Sequence, residues 1–501
     1  MKCVIYISVL LLGVTLISGC ESLLEPTPRG QIALDQLLTT EEGLITAVNG
    51  VYQPLHTLYE GNVSRLTDMA SDDGWTWRKE TEPDIFIVDQ TFNVSQSVWT
   101  DLYTGITRAN TVLSRMDGVS EFSDAAVREA IEGQAKFMRA FYYFNLVRFF
   151  GGVPLILQEI KTRSDAEQAR ATIEEVYVQI KSDLDDASRL LPDSYPGNTG
   201  MEVGRPTSYA AHALRSLVHL ELEEWTEAAA AAQTVISNTS LGLLPNYAAN
   251  FNGSQENGHT SLFEVQYGGV TAATTTAISN FFAPPDLQGG ASILPSDDNL
   301  EGKGGSLSSG NGLVQAFEPG DTRRDIVLKN YGLANFIDPS KPDGSLYFVN
   351  KFYNTNDPVG LSTWNFPLIR YGEMLLVRAE ALNEIDYIAD GEAFNLLNTI
   401  RLNAGLSART VAELPDQEAF REALRKERRI ELCFEAKRFH DLNRWGILRD
   451  RVQVQMDYLG LDFPTQKTIE HPITGKEYYL YPIPSIEFVN NAQLGEQNPG
   501  Y

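Results

Sequence analysis

From Ser123 to Phe150, apolar side chains return every three or four positions, as Val127, Ile131, Met138, Phe141 and Phe144. That spacing lines one face of a helix, with Ser123 as its cap. Gly151-Gly152-Val153-Pro154 then stops it, glycine taking the left-handed turn and proline blocking continuation. The same period predicts a helix over Leu44 to Leu55, ended or bent at Pro54. Asp101 to Met116 aligns Leu102, Ile106, Ala109 and Leu113 on one face. Thr172 and Glu175 form a capping box ahead of Ile173, Val176, Ile180, Leu184 and Leu191, and Pro192 closes that helix.

Thr207 to Ser237 reads as a helical hairpin, with Leu214, Leu217 and Leu222 facing one way and Trp225 in the turn. The run Ala228 to Ala232 lets its second helix approach closely, which is the packing of a tetratricopeptide unit. A second pair spans Leu368 to Asn383 and Glu392 to Asn403, setting Leu375, Ala379 and Leu382 against Phe394, Leu397 and Ile400. A further helix, Gln417 to Ala436, follows. The pairs do not follow one another at a ~34-residue period, so the repeat is degenerate. Between them, Thr239 to Phe366 is rich in Asn, Gly, Ser, Thr and Pro, with short strand-like runs at Leu262 to Tyr267 and Leu346 to Phe352. Gly289 to Gly312 is the most loop-like part, and this much loop on a helical frame is usually functional. The expected fold is therefore mainly α: a tetratricopeptide-like frame of helical pairs with a loop-rich insert containing short strands. Its expected parts are an N-terminal frame (41–238), the insert (239–366) and a C-terminal frame with tail (367–501), all in one body.

The first residues follow another pattern. Lys2 leads an apolar run, Val4 to Ile17, which ends in Leu16-Ile17-Ser18-Gly19-Cys20. About 14 apolar residues rise only ~21 Å as a helix, short of the ~30 Å bilayer core. The run is expected to be a secretory signal over residues 1–19 rather than a span. Small residues before a cysteine are the cleavage pattern of a bacterial lipoprotein, which makes Cys20 the expected lipidated first residue. Residues 20–40 then read as a tether, and 10 to 20 such residues reach ~35 to 70 Å when extended.

Composition adds constraints. Of 501 residues, 43% are hydrophobic and 21% charged, enough to bury a large core without disulfides. Once Cys3 leaves with the signal, only Cys20 and Cys433 remain, so a lipidated Cys20 leaves Cys433 unpaired. The net charge of −26 argues against binding nucleic acid or anionic lipid by broad charge attraction. No other apolar run approaches the ~18 residues of a membrane span.

Several segments resemble the SusD/RagB family of outer-membrane nutrient-binding lipoproteins of Bacteroidetes. The strongest is Glu427-Arg428-Arg429-Ile430-Glu431-Leu432, continuing through Phe434-Glu435, Arg438 and Asp441-Leu442 to Arg444-Trp445-Gly446. Arg139 to Leu146 with Gly151 to Pro154, Arg205-Pro206-Thr207, and Phe317 with Asp321 to Arg324 add to it. So do Arg370-Tyr371, Arg378 to Asn383 and Tyr481-Pro482-Ile483-Pro484. The resemblance implies a tetratricopeptide-like frame and a SusC-like TonB-dependent transporter as partner, over which the lipoprotein sits as a hinged lid. It implies cell-surface exposure at the outer membrane and an oligosaccharide or polysaccharide ligand, with a peptide-binding member as the alternative. The charged motif on 428–435 reads as frame-locking, since Arg428, Glu431 and Glu435 stand at i, i+3 and i+7.

Catalysis finds little support in the residues. Carboxylate pairs such as Asp72/Asp73 and Glu431/Glu435 meet the minimum for glycoside hydrolysis, but 66 acidic residues produce such pairs by chance. There is no HExxH, CxxC, Walker loop or GxSxG, and the six histidines are scattered. A glycoside hydrolase and a pure tetratricopeptide scaffold are the readings from other classes. No cofactor is expected; Asp297, Asp298, Asn299 and Glu301 offer oxygens to Ca²⁺, though not at EF-hand spacing, and a solvated acidic loop is the plainer reading. Sugar binding asks for flat aromatic faces beside groups that read hydroxyls, each hydrogen bond netting about 0.5–1.5 kcal/mol. Ser71-Asp72-Asp73-Gly74-Trp75-Thr76-Trp77-Arg78 has that composition. The expected ligand contacts are Asp73, Trp75, Trp77 and Arg78, with Phe281 and Phe282 in the insert. The plain alternatives are tryptophans plugging the frame and phenylalanines forming a small core under the loops.

Overall fold

Thr40 opens the first long helix, α1 (Glu41–Tyr52), its hydroxyl accepting from the Gly43 amide at 3.1 Å. In the computed structural model, residues 37–76, 83–195, 203–268, 275–282, 293–297, 312–330, 347–353, 362–458 and 460–501 are described. The signal, Cys20 and nearly all of the tether lie outside them; Leu38, at the tether's expected end, is already in the core. Helix α1 stops at Tyr52, and Pro54 starts a short helix, Pro54–Thr57, as its first residue. The chain then makes a π turn, Leu58–Asn62, with Gly61 at φ 146°. An Ala there would be strained by that angle and would drive its Cβ into the Phe281 ring.

The frame follows as α2 (Asn93–Arg115), α3 (Ala125–Phe150), α4 (Ile173–Leu190), α5 (Ser208–Glu221) and α6 (Trp225–Ile236). It resumes after the insert as α7 (Tyr371–Ile385), α8 (Glu392–Asn403) and α9 (Gln417–Leu432), with α10 (Arg438–Arg444) and α11 (Leu448–Tyr458) behind. Each of α1 to α7 packs on its successor, α6 meeting α7 across the insert, and α8 and α9 both rest on α7. The predicted hairpins are therefore present and stacked. The Thr172–Glu175 capping box forms in both directions, at 2.8 and 3.2 Å.

Four boundaries differ from the sequence reading. Helix α3 is capped by Asp124, which accepts from the Ala126 amide, while Ser123 is bound to Glu41. Helix α2 begins at Asn93, because Val94 and Val98 extend its buried face by two turns. Leu368 to Arg370 belong to a strand, not to the start of α7. Helix α9 ends at Leu432, since Phe434 and Ala436 both take φ 60°, in the left-handed region.

The strands are short and paired antiparallel, in twos: β1 (Gly74–Trp75), β2 (Ser261–Val265), β3 (Leu294–Pro295), β4 (Leu328–Asn330), β5 (Tyr347–Val349), β6 (Phe366–Arg370), β7 (Thr468–Glu470) and β8 (Glu477–Tyr479). Pairing β2 with β6 joins the two ends of the insert, with a register irregularity around Phe263. One apolar cluster runs through the body from Leu38 to Leu494, and a smaller one holds Leu375, Ala379, Phe394, Leu397 and Ile400, as the period predicted.

Between these clusters lies a buried ionic lattice centred on α9. Arg323, only 1% exposed, reaches Asp321, Glu427 and Glu431 at 2.7–2.8 Å. Arg370 holds Glu431 and Glu435 at 2.6 and 2.8 Å, and Lys351 holds Glu435 at 2.6 Å. Arg428 bonds Glu373 and Asp441, and Arg444 bonds Glu380 and Asp441. Arg428, Glu431 and Glu435 thus lock to neighbouring elements rather than to one another. Cys433, buried beside them, has its thiol pushed up to about 12 by burial.

Removing one partner strands the others. Glu431→Ala deprives Arg323 and Arg370 of a carboxylate at once, and breaking a buried pair costs about 3–5 kcal/mol. We expect a correspondingly lower urea midpoint for Glu431→Ala, whereas Glu413→Ala, at an exposed pair with Arg409, leaves the midpoint nearly unchanged.

Candidate functional site

Residues 68–76 follow the short helix Val63–Thr67 and are shaped by their own polar groups. The Ser71 hydroxyl donates to the Asp68 carbonyl at 2.7 Å and accepts from the Asp73 amide at 3.2 Å. Gly74 brings the chain against the Asp68 carbonyl and Ile293, leaving no room for a Cβ. Trp75 pairs with Leu294, its indole N–H donating to the Pro295 carbonyl at 3.1 Å. Ser296 completes the clasp: its amide donates to the Asp73 carbonyl at 2.9 Å and its hydroxyl to the Asp72 carbonyl at 2.6 Å. The Ser296 hydroxyl also accepts from Leu313, at the start of the short helix Leu313–Ala316.

The clasp fixes the ends of three segments. Thr76 donates from its amide to Asp84 at 3.1 Å, so residues 77–82 leave and return at one place. Ile293 donates to the Phe281 carbonyl at 3.0 Å, which closes residues 282–292 in the same way. Leu313 and Val314 both donate from their amides to Ser296, so residues 298–311 also begin and end beside the clasp.

Of the expected ligand contacts, Asp73, Trp75 and Phe282 are buried, Trp75 at 6% exposure. Asp73 is bonded to Arg429 at 2.6 Å, and Phe282 packs on Phe352 and Phe434. Phe281 is partly buried over Gly61. Trp77 and Arg78 lie outside the described residues. The structure therefore joins the N-terminal loop to the insert, with these buried side chains as its floor. The sequence reading missed the clasp residues Ser296 and Asp84, for a two-residue strand carries no periodic signal.

Asp68, Asp72 and Asp73 are buried beneath the loop. Burial pushes Asp72 up, but Arg429 and Arg438 outweigh it and hold its carboxyl below the usual range. Burial, with the Asp72 charge, raises Asp73 despite Arg429. Asp68 is pushed up to about 8, by burial first, and sits against the Ala436 amide with no exposed surface. Glu431 and Glu435, the other pair, are both committed to cations. For Ca²⁺, Asp297 accepts from Gln315 at 2.7 Å, while Asp298, Asn299 and Glu301 lie outside the described residues. Among the described residues no group of His, Cys, Asp or Glu is placed to hold a metal ion, and no helix is long and apolar enough to cross a membrane.

Comparison with known proteins adds the following. Residues 326–501 match the profile of the SusD family, and residues 29–220 match one described as "Starch-binding associating with outer membrane". SusD-like protein P2 of Formosa agariphila is 29% identical over 527 residues, covering 99% of both chains. SusD-like protein P25 of the same organism is 28% identical, covering 96% of this chain and 97% of its own. Among solved structures, a SusD homolog from Bacteroides thetaiotaomicron superposes with a TM-score of 0.75 at 24% identity, over 94% of this chain and all of its own. A laminarin-binding SusD-like protein gives a TM-score of 0.72 at 25% identity, over 92% of this chain and all of its own.

The shifted carboxyl under the loop has a measurable consequence. Asp68 goes from 3.8 to about 8 on folding, so its contribution to stability is full below pH ~4 and is lost as the pH rises towards 8. Asp68→Asn keeps an oxygen for the Ala436 amide without the charge. In thermal melts we expect it to exceed wild type by several degrees at pH 8, the gap closing towards pH 4.

Proposed function

The chain belongs to the SusD/RagB family, and from that premise we propose that it is a non-catalytic lipoprotein that binds glycan and delivers it to a SusC-like TonB-dependent transporter. The observation that carries this reading is the match of residues 29–220 to a starch-binding profile, a range that contains the clasped loop with Trp75, Trp77 and Arg78. The laminarin-binding relative of the same fold supports the same ligand class.

The anchor in this reading is Cys20, which ties residues 20–40 to the outer membrane, with a single body (41–501) facing outwards. Trp77 and Arg78, issuing from the clasp, supply the stacking face and the hydroxyl-reading cation. Phe281 supplies the opposite rim. Asp73, Trp75 and Phe282 act from beneath, holding both segments in register. Binding is non-covalent: an aromatic face covers the apolar C–H face of a pyranose, and several weak hydrogen bonds converge on its hydroxyls. The committed state of the buried carboxylates supports a binding role over hydrolysis.

Isothermal titration of the purified protein against a panel of soluble polysaccharides, laminarin and starch included, tests the reading. We expect weak to moderate heats with at least one glycan, reduced tenfold or more by Trp77→Ala, and no release of reducing ends. Binding of a peptide pool with every glycan silent would favour the peptide-binding alternative. Co-purification of a large barrel protein from detergent-solubilised membranes checks the transporter.

A further inference from the structure

Beside the clasped loop, a cleft of about 410 Å³ opens between α9, the start of α11 and the short helix Leu313–Ala316, whose Leu313 amide is bonded to Ser296. It is lined by Arg425, Lys426, Arg429, Arg438 and Arg451, with Glu422 as its one acidic side chain among the described residues. In a chain carrying −26, five cations converge on one cavity, although Arg429 and Arg438 are also paired with Asp73 and Asp72, and Lys426 lies 3.9 Å from Glu318. Glu422 is divided between Arg425 at 2.9 Å and Arg451 at 3.4 Å. Trp445 backs the cleft, its ring centroid 4.8 Å from the Arg425 guanidinium and 5.7 Å from that of Arg438. Arg438 is 5% exposed, and its Nη1 has no hydrogen-bond partner; neither has Nε of Arg425.

A buried guanidinium with an unmet donor is costly, because each missing bond forfeits the compensation for desolvation. A carboxylate or a tetrahedral oxyanion can offer two oxygens to a guanidinium fork at once. Arg429 and Arg438 reach the loop through Asp73 and Asp72, and Gln315, on the cleft wall, bonds Asp297 at the edge of the insert. A polymer lying over the clasp can therefore drop a substituent into this cleft. The carboxylates already paired to its wall still leave Nη1 of Arg438 and Nε of Arg425 unmet, and these are the donors that an incoming oxyanion meets.

We propose that this cleft receives an anionic substituent, a uronate carboxylate or a sulfate ester, on the captured glycan, so that the ligand is an acidic polysaccharide. The inference rests on the glycan-capture reading and narrows it.

The test uses dextran, carboxymethyl-dextran and dextran sulfate of equal chain length, titrated into the purified protein at low and high salt. At low salt we expect one or both charged polymers to bind at least tenfold more tightly than dextran, with the advantage shrinking in high salt. The tighter of the two identifies carboxylate or sulfate. Lys426→Gln with Arg451→Gln changes side chains that are 45% and 29% exposed and should fold normally, as a melting curve checks. It should remove the tenfold advantage, and the charge-keeping pair Lys426→Arg with Arg451→Lys should retain most of it. Charged polymers that bind no better than dextran, or a Gln pair that binds them as wild type does, overturn the proposal. If the neutral panel gives heats without preference for charge, the cleft is wrong and glycan capture stands. Silence of every glycan, neutral and charged, overturns both.

Discussion

Charge burial around α9 is the constraint on which the rest of this structure depends. Taking an ion out of water costs several kcal/mol, and only close partners with further hydrogen bonds offset it. Arg323, Arg370, Arg428, Arg429 and Arg438 are all buried, and every one is answered by carboxylates from another part of the chain. Glu431 alone joins the insert, through Arg323, to β6, through Arg370. Apolar packing is non-directional and tolerates sliding; these pairs do not, because a displaced partner leaves a bare charge. The helical frame supplies the bulk of the burial, and the lattice specifies how the insert and the N-terminal loop sit on it.

That division explains how residues 68–76 are held. Its backbone turns are local, set by Ser71 and Gly74, but its position is fixed from a distance by Arg429 and Arg438. The clasp of β1 with β3 is too short to be stable alone. It holds because Ser296 satisfies the carbonyls of Asp72 and Asp73 while their carboxylates are held by the arginines beneath.

Much of the frame was legible in the sequence because period and caps are local signals. The stop at Gly151 to Pro154, the Thr172–Glu175 box and the 207–237 hairpin all needed only neighbours within a few residues. Boundaries failed where a distant partner intervened. Leu368 to Arg370 has helix-compatible residues, yet β2 claims it as a strand. Ser123 looked like a cap, but Glu41, 82 residues away, took its amide and hydroxyl. The site shows the same limit. Composition picked out residues 71–78 as unlike a core helix, and they do meet the insert, but it could not tell a floor from a platform. Trp75 and Asp73 read as exposed contacts because their burial depends on Pro295 and Arg429, which lie 220 and 356 residues further on.

Net charge misleads for the same reason. A total of −26 describes the surface average, whereas the basic side chains of α9 are concentrated by the lattice that needs them. The acids of the loop follow the same logic. Asp68, Asp72 and Asp73 lie close together under it, and Arg429 and Arg438 are the cations bonded there. Burial, and then the neighbouring Asp73 charge, raise Asp68, so the proton goes to the carboxyl with no guanidinium bonded to it. Asp72, gripped twice by Arg438, stays ionised. With Asp68 neutral, the loop does not drain the arginines further, and they still line the adjacent cleft. One pair of guanidinium groups thus holds the candidate site from below and lines the cavity beside it.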